Sequence, residues 1–186
     1  MTVTIESTIT ISDVEGLDGE LEIPFRPDEW IDPVVNGNVL RYAALDESGG
    51  TEYEFPEGVR FIQGNSQYIH YCNDVEEWLE EVHEDSNLEV FPVGVYEHGL
   101  ISYSLAGESI HSGDQWDYCI GACIAVPKDF ADPKEAARGI LDEYTSWCNG
   151  SVYLLVEVPL DDPDNYDVVG GFIGSKHAEE AVKEGY

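Results

Sequence analysis

Positive charge is what this sequence has least of. Against 39 aspartates and glutamates stand only 8 lysines and arginines, a formal net charge of −31 with an isoelectric point near 4.1. A surface of that sign repels phosphates and anionic headgroups, which excludes direct binding of nucleic acid or of a membrane surface and points to a basic partner. The chain also lacks any apolar run near the roughly 18 residues of a membrane span. Its start, MTVTIESTITIS, has neither a basic region nor an apolar signal core, so a cytoplasmic product is expected. Cys72, Cys119, Cys123 and Cys148 are scattered through a chain without a secretion signal and read as reduced thiols, not as a disulfide framework.

Catalytic signatures are missing too. No phosphate-binding glycine loop is present, since GGFIG at 170–174 follows no βαβ pattern and reads as a bulged strand. Ser109, Ser112 and Cys119 lie near His111 and Asp114 in sequence, but no nucleophile elbow surrounds them. Cys119 and Cys123 stand near zinc spacing, with His98 and His111 close by. In a strand, however, an offset of four puts both thiols on one face about 13 Å apart, too far for one ion unless the run is bent, so buried thiols are the better reading. The Asp161-Asp162-Pro163-Asp164-Asn165 turn lacks the glycine and distal glutamate of a calcium loop. No catalytic residue, metal or cofactor is therefore expected.

What is present supports a packed α+β protein: 42% hydrophobic and 11% aromatic residues distinguish it from disordered acidic chains. Alternation at the start, then 38–45, 51–55, 59–63 and 66–71, predicts short strands around the turn-rich acidic stretch 13–33. Between Asp74 and Asp85 the period becomes helical, with Val75, Trp78, Leu79 and Val82 on one face. Apolar runs at 88–96 and 100–106 predict a hairpin turning at His98-Gly99, followed by a buried strand at 118–126. Asp132-Pro133 is a helix start and Asn149-Gly150 its stop. Strands at 152–158 and 166–174 follow, then a short last helix capped by Ser175. The expected fold is a mainly antiparallel sheet with about three helices. Its expected layout is an acidic β-rich region over 1–90 and a ββ-β-α-ββ-α region over 91–186, as two parts or one compact domain.

The acids are concentrated. Residues 1–127 hold 26 acids against Arg26, Arg41 and Arg60, a net of −23. The 74–85 helix alone carries seven acids and no base over about 18 Å, roughly one charge per 2.6 Å against about 1.7 Å along duplex DNA. Its like-charge i,i+4 pairs cost on the order of 1–2 kcal/mol in total. A solvated face, helped by the helix dipole in the first turn, is the bland alternative. Salt adaptation is another, but it favours Asp and few large residues, whereas this chain has 23 Glu, 16 Asp and many aromatics.

From Gly94 onward, several short blocks occur in a fixed order: His111-Ser112-Gly113, Trp116-Asp117 before an apolar strand, and Val126-Pro127-Lys128-Asp129 before a helix. Glu143-Tyr144 with Trp147, Gly150-Ser151-Val152-Tyr153 and Gly170-Gly171-Phe172-Ile173-Gly174 continue the series. In these blocks the C-terminal half resembles a group of uncharacterised small proteins of bacteriophages, those of actinobacteria above all. It departs at Tyr118-Cys119, where small polar residues are expected. The resemblance implies a phage origin and no mechanism. By charge and context the chain is similar in kind to anti-restriction and anti-CRISPR inhibitors that mimic DNA.

The resulting expectation is an acidic inhibitor, not an enzyme, occupying the groove of a basic nucleic-acid-binding host protein. Glu76, Glu77, Glu80, Glu81, Glu84 and Asp85 are the candidate phosphate surrogates, with Asp13, Glu15, Asp18, Glu20 and Glu22 as a second acidic strip. The alternative is a binding module built on His111, Trp116 and Asp117, with acidity serving solubility or salt tolerance. A homodimer stays open.

Overall fold

The computed structural model describes residues 8–24, 30–46, 52–63, 82, 85, 87–113 and 116–185. The chain divides into two compact units, one from Met1–Thr51 with Gly150–Tyr186, the other from Glu52–Asn149. This is not the division near residue 90 that the texture of the sequence suggests. Strand pairing is the reason: the early strands join the last ones in one sheet, and the strand at 60–63 joins those that follow residue 88.

In the first unit the strands are β1 (Thr8–Ile11), β2 (Leu21–Pro24), β3 (Trp30–Asn36), β4 (Val39–Leu45), β9 (Val152–Pro159) and β10 (Asp167–Ile173). A four-stranded antiparallel sheet runs β10-β9-β4-β3. Alternation along β4 sends Leu40, Tyr42 and Ala44 to one face, where Ile11 and Ile23 of the β1–β2 hairpin and Val156 and Val158 complete a core. Ala43, with Tyr153 and Leu155 of β9, faces the last helix, α2 (Ser175–Glu184), and packs against Ala178, Ala181 and Val182. Both faces of this sheet are thus covered. The expected bulge in β10 is there, between Gly170 and Phe172, with Gly171 at φ 96°.

The second unit holds β5 (Arg60–Gln63), β6 (Leu88–His98), β7 (Leu100–Leu105), β8 (Tyr118–Pro127) and α1 (Pro133–Cys148), with sheet order β5-β8-β6-β7. The β6–β7 hairpin turns at Gly99, where φ is +80°. Asp132 caps α1 by accepting from the backbone N–H of Lys134 and Glu135, both at 3.1 Å, with Pro133 in the first turn. The buried face of α1, Ala137, Ile140 and Leu141, covers Val93, Val95, Tyr103, Leu105, Ala122, Ile124 and Val126. β7 would leave an open sheet edge, but α1 closes it. Asn149 accepts from Ile101 N at 3.0 Å and donates to Ile101 O at 2.7 Å, and Thr145 Oγ1 accepts from Tyr103 N at 2.9 Å.

Several expectations change. Antiparallel sheets dominate, with two helices among the described residues instead of about three. The predicted 74–85 helix lies outside the described residues except for buried Val82 and half-buried Asp85. The 13–33 stretch is not all turn, because Leu21 and Ile23 alternate with polar residues in β2 and because β3 tolerates Asp32-Pro33 at a register shift on the sheet edge. Residues 52–55 form no strand; Tyr53 and Phe55 pack as rings against Tyr144 instead. Ser175 is the first residue of α2, and the cap position is Gly174, with no side-chain cap. The register of β8 slips opposite Val93/Gly94, with Gly121 as the extra residue. That slip puts Cys119 with Ala122 and Ile124 on the α1 side and turns Cys123 to the other face, so the two thiols do not share a face. No helix among the described residues is long and apolar enough to cross a membrane.

Candidate functional site

Acidic residues come first because the charge excess drew attention to them. Asp13, Glu15, Asp18, Glu20 and Glu22 are all exposed, on β2 and on the loop joining it to β1. Val14 and Leu17 in the same loop pack inward and hold it to the core. Asp13 sits at φ 63°, a left-handed position that aspartate tolerates better than most side chains. Of the phosphate-surrogate helix only Asp85 is described. It lies 3.7 Å from Arg60 and accepts from the Asn87 N–H at 3.1 Å. Glu76, Glu77, Glu80, Glu81 and Glu84 lie outside the described residues. The scarce bases are largely occupied within the chain. Arg41 donates to Glu157, its cross-strand partner, and Lys183 pairs with Glu179.

Lys134 and Arg138 of α1 converge on Glu108, which follows β7. Arg138 Nε and Nη2 donate to the two carboxylate oxygens at 2.7 and 2.8 Å, and Lys134 Nζ lies at 3.0 Å. Hydrogen bonds from Arg138 and then Lys134 lower the Glu108 pKa from 4.5 to about 2. Arg138 also reaches Glu135 at 2.6 Å. This clamp fixes the beginning of the loop that follows β7.

The second candidate region is assembled by that loop. Alternation puts Tyr96 and His98 of β6 and Tyr118 and Ile120 of β8 on the sheet face away from α1, with Leu100 beside His98 on β7. The His111 ring stacks on Tyr96, with centroids 3.9 Å apart and planes 9° apart. His98 Nδ1 and Asp117 Oδ2 are 2.8 Å apart, and the Asp117 carbonyl accepts from Glu97 N at 2.9 Å. Tyr118 lies so close over Gly94 that a Cβ there would meet its hydroxyl at 2.2 Å, which reserves the position for glycine. Of the residues named in sequence, His111 and Asp117 are thus tied down, through Tyr96 and His98. Trp116 is 92% exposed on the same loop, as is Ile110. With Leu100 at 67% and Ile120 at 60%, these are the large hydrophobic side chains exposed among the described residues.

A third cluster is structural. Tyr53, Phe55, Phe61, Tyr103, Tyr144 and Trp147 form one ring network with neighbouring centroids 4.9 to 5.8 Å apart. Tyr103 donates to Gln63 Oε1 at 2.6 Å. Burial raises the hydroxyl pKa values, that of Tyr144 to about 12. Burial also raises Cys119, Cys123 and Cys148, the opposite of what a reactive thiolate needs. No three His, Cys, Asp or Glu side chains come together as a metal-holding group among the described residues. The aspartate turn at 161–165 is an exposed turn in which Asp161 accepts from the Asn38 amide at 2.7 Å.

Two exposed features stand out among the described residues: a run of carboxylates on one unit and the apolar side chains Ile110 and Trp116 on the other. Comparison with protein-family models, with curated proteins and with solved structures finds no match to this chain.

Proposed function

We propose that this protein is a non-catalytic, phage-encoded acidic inhibitor, acting in the cytoplasm of the infected cell. Its carboxylates stand where phosphates would lie and occupy the basic groove of a host defence or DNA-processing protein. The supporting observation is a strip of exposed acids in a chain whose described bases mostly pair elsewhere. Asp13, Glu15, Asp18 and Glu20 face solvent, and Glu22 beside them is exposed too, while Arg41, Arg60, Lys134, Arg138 and Lys183 pair with carboxylates outside this strip. Complementarity of this kind speeds encounter and weakens as salt rises. The test captures host proteins on the immobilised chain at low and high salt. A basic, nucleic-acid-binding protein released by salt is expected. It should be lost on reversing Asp18, Glu20 and Glu22, or Glu77, Glu80, Glu81 and Glu84, to Lys. Undiminished capture by both folded variants refutes the reading.

One observation favours a second reading, a binding module centred on His111, Trp116 and Asp117. The loop carrying them is tied by Glu108, His111 and Asp117 and yet holds Ile110 and Trp116 in solvent. On this reading the acidity serves solubility or salt tolerance. Substitution of His111 and Trp116 then abolishes function, while the acidic reversals leave it intact.

A further inference from the structure

Two Asn-Gly pairs occur in the sequence, Asn36-Gly37 and Asn149-Gly150, and the fold treats them differently. An asparagine before glycine is chemically labile, because the backbone nitrogen of a residue without Cβ is unshielded and can reach the asparagine side-chain carbonyl. Asn149 is held against that reaction. Its Nδ2 donates to Ile101 O at 2.7 Å and to Thr145 O at 2.9 Å, and its Oδ1 accepts from Ile101 N at 3.0 Å. Asn36 has no such restraint. It is exposed, as is Gly37, and no side-chain hydrogen bond engages it among the described residues. A Cβ added to Gly37 would meet nothing within 4 Å, so a ring closing there has room. Asn36 and Val39 form the last pair of the β3–β4 hairpin, and β3 is an edge strand, so few bonds resist a local opening at this point. The other half of the turn stays fixed. Asn38 O accepts from Leu160 N at 2.9 Å, and the Asn38 amide donates to Asp161 at 2.7 Å.

We infer that Asn36 is a site of spontaneous covalent modification, converted to aspartate and isoaspartate with water as the co-reactant. The Gly37 backbone nitrogen gives its proton to solvent base and attacks Asn36 Cγ. The N–Cγ bond forms and the Cγ–Nδ2 bond breaks, and the side-chain nitrogen takes up a proton and leaves as ammonia. Water then opens the resulting succinimide at either of its carbonyls. Attack at Cγ breaks the new bond and leaves aspartate; attack at the main-chain carbonyl leaves isoaspartate, with the chain running through the side chain. Nothing is oxidised or reduced, and both products carry a carboxylate where the amide stood. Asn38 does not share the reactivity, because the β-branched Val39 that follows it crowds the attacking nitrogen. Position gives the change its consequence. Val35, next to Asn36, packs with Val14 and Leu17 of the loop that carries Asp13, Glu15 and Asp18. The new carboxylate therefore joins the unit that already displays a strip of acids, and isoaspartate lengthens the backbone where the hairpin turns.

The test incubates the full chain at mildly alkaline and mildly acidic pH, folded and in denaturant, and follows each asparagine by peptide mapping with mass spectrometry. In the folded chain Asn36 is expected to convert roughly tenfold or more faster than Asn149, and faster in the alkaline sample. In denaturant the two should convert at similar rates, since each is then an Asn-Gly pair in an open chain. Isoelectric focusing of the folded chain should show a more acidic species accumulating with time, and Asn36→Gln should abolish it. That position is exposed, so the variant keeps the fold, which circular dichroism verifies. An Asn36 that stays unmodified in the folded chain but converts in denaturant overturns the inference, because the hairpin then protects it as hydrogen bonds protect Asn149. Equal conversion of Asn36 and Asn149 in the folded chain overturns it too, because the sequence pair alone would then set the rate.

Discussion

The two four-stranded sheets among the described residues each have a helix on one face, but they differ in what lies on the other. In the first unit the β1–β2 hairpin lays Ile11 and Ile23 over Leu40 and Tyr42, and α2 covers Ala43 and Leu155. In the second, α1 covers Val93, Val95 and Ile124; the outer face buries Cys123 and Ala125 at one end but leaves Leu100 and Ile120 largely exposed at the other. A sheet sealed on both faces spends its apolar residues on stability. One that leaves apolar side chains in water has them available for contact with something else.

The contrast can be broken most directly by truncation. Leu155→Ala in the first unit and Leu141→Ala in the second each empty a fully buried position and should cost about 2–5 kcal/mol. Ile120→Ser should stay within about 0.5 kcal/mol of wild type. Chemical denaturation measures all three, and a large loss at Ile120 would mean that this end of the outer face is as sealed as the other sheet. Next in size is Asn149→Ala. It removes the side chain that bonds both backbone groups of Ile101 and should cost about 1–3 kcal/mol, read from the same transition and from faster amide exchange at Ile101.

The two helix starts sharpen the comparison further. Asp132→Ala removes a cap that accepts two backbone bonds and should cost about 1 kcal/mol, whereas Ser175→Ala, beside a Gly174 cap with no side-chain bond, should cost almost nothing. Equal losses in thermal unfolding would overturn that assignment. The smallest effect concerns acid. Because the Glu108 pKa is lowered from 4.5 to about 2, the clamp contributes fully above about pH 4.5 and is lost as pH falls toward 2. Glu108→Gln should therefore flatten that part of a plot of thermal midpoint against pH and leave the neutral range less altered.

The elements most legible in the sequence were those whose ends carry their own chemistry. Asp132-Pro133 and Asn149-Gly150 bound α1 where the capping rules put it, and His98-Gly99 marks the β6–β7 turn. β2 and β3 were hidden because Gly19, Pro24 and Asp32-Pro33 imitate loop composition, and only tertiary burial of Ile23 and edge placement of β3 make strands of them. The slip at Gly121 could not be read either, since Tyr118–Pro127 is apolar throughout and carries no period to show a change of phase. At the candidate site, His111, Trp116 and Asp117 stand together in sequence and were found that way. Tyr96, the ring beneath His111, and Glu108, the loop's anchor, were not, because hairpin register and a helix distant in sequence bring them in.

The interrupted course of the first unit bears on how the protein is made. β4 is a central strand whose neighbour β9 begins only at Val152, after the entire second unit. On the ribosome, residues 52–149 can close their sheet and seat α1 while Leu40, Tyr42 and Ala44 still await Val156 and Val158. A chain stalled or cut near Gly150 would therefore carry a finished domain joined to a sticky half-sheet. Such fragments should aggregate through their N-terminal strands, and co-expression of residues 150–186 should rescue them.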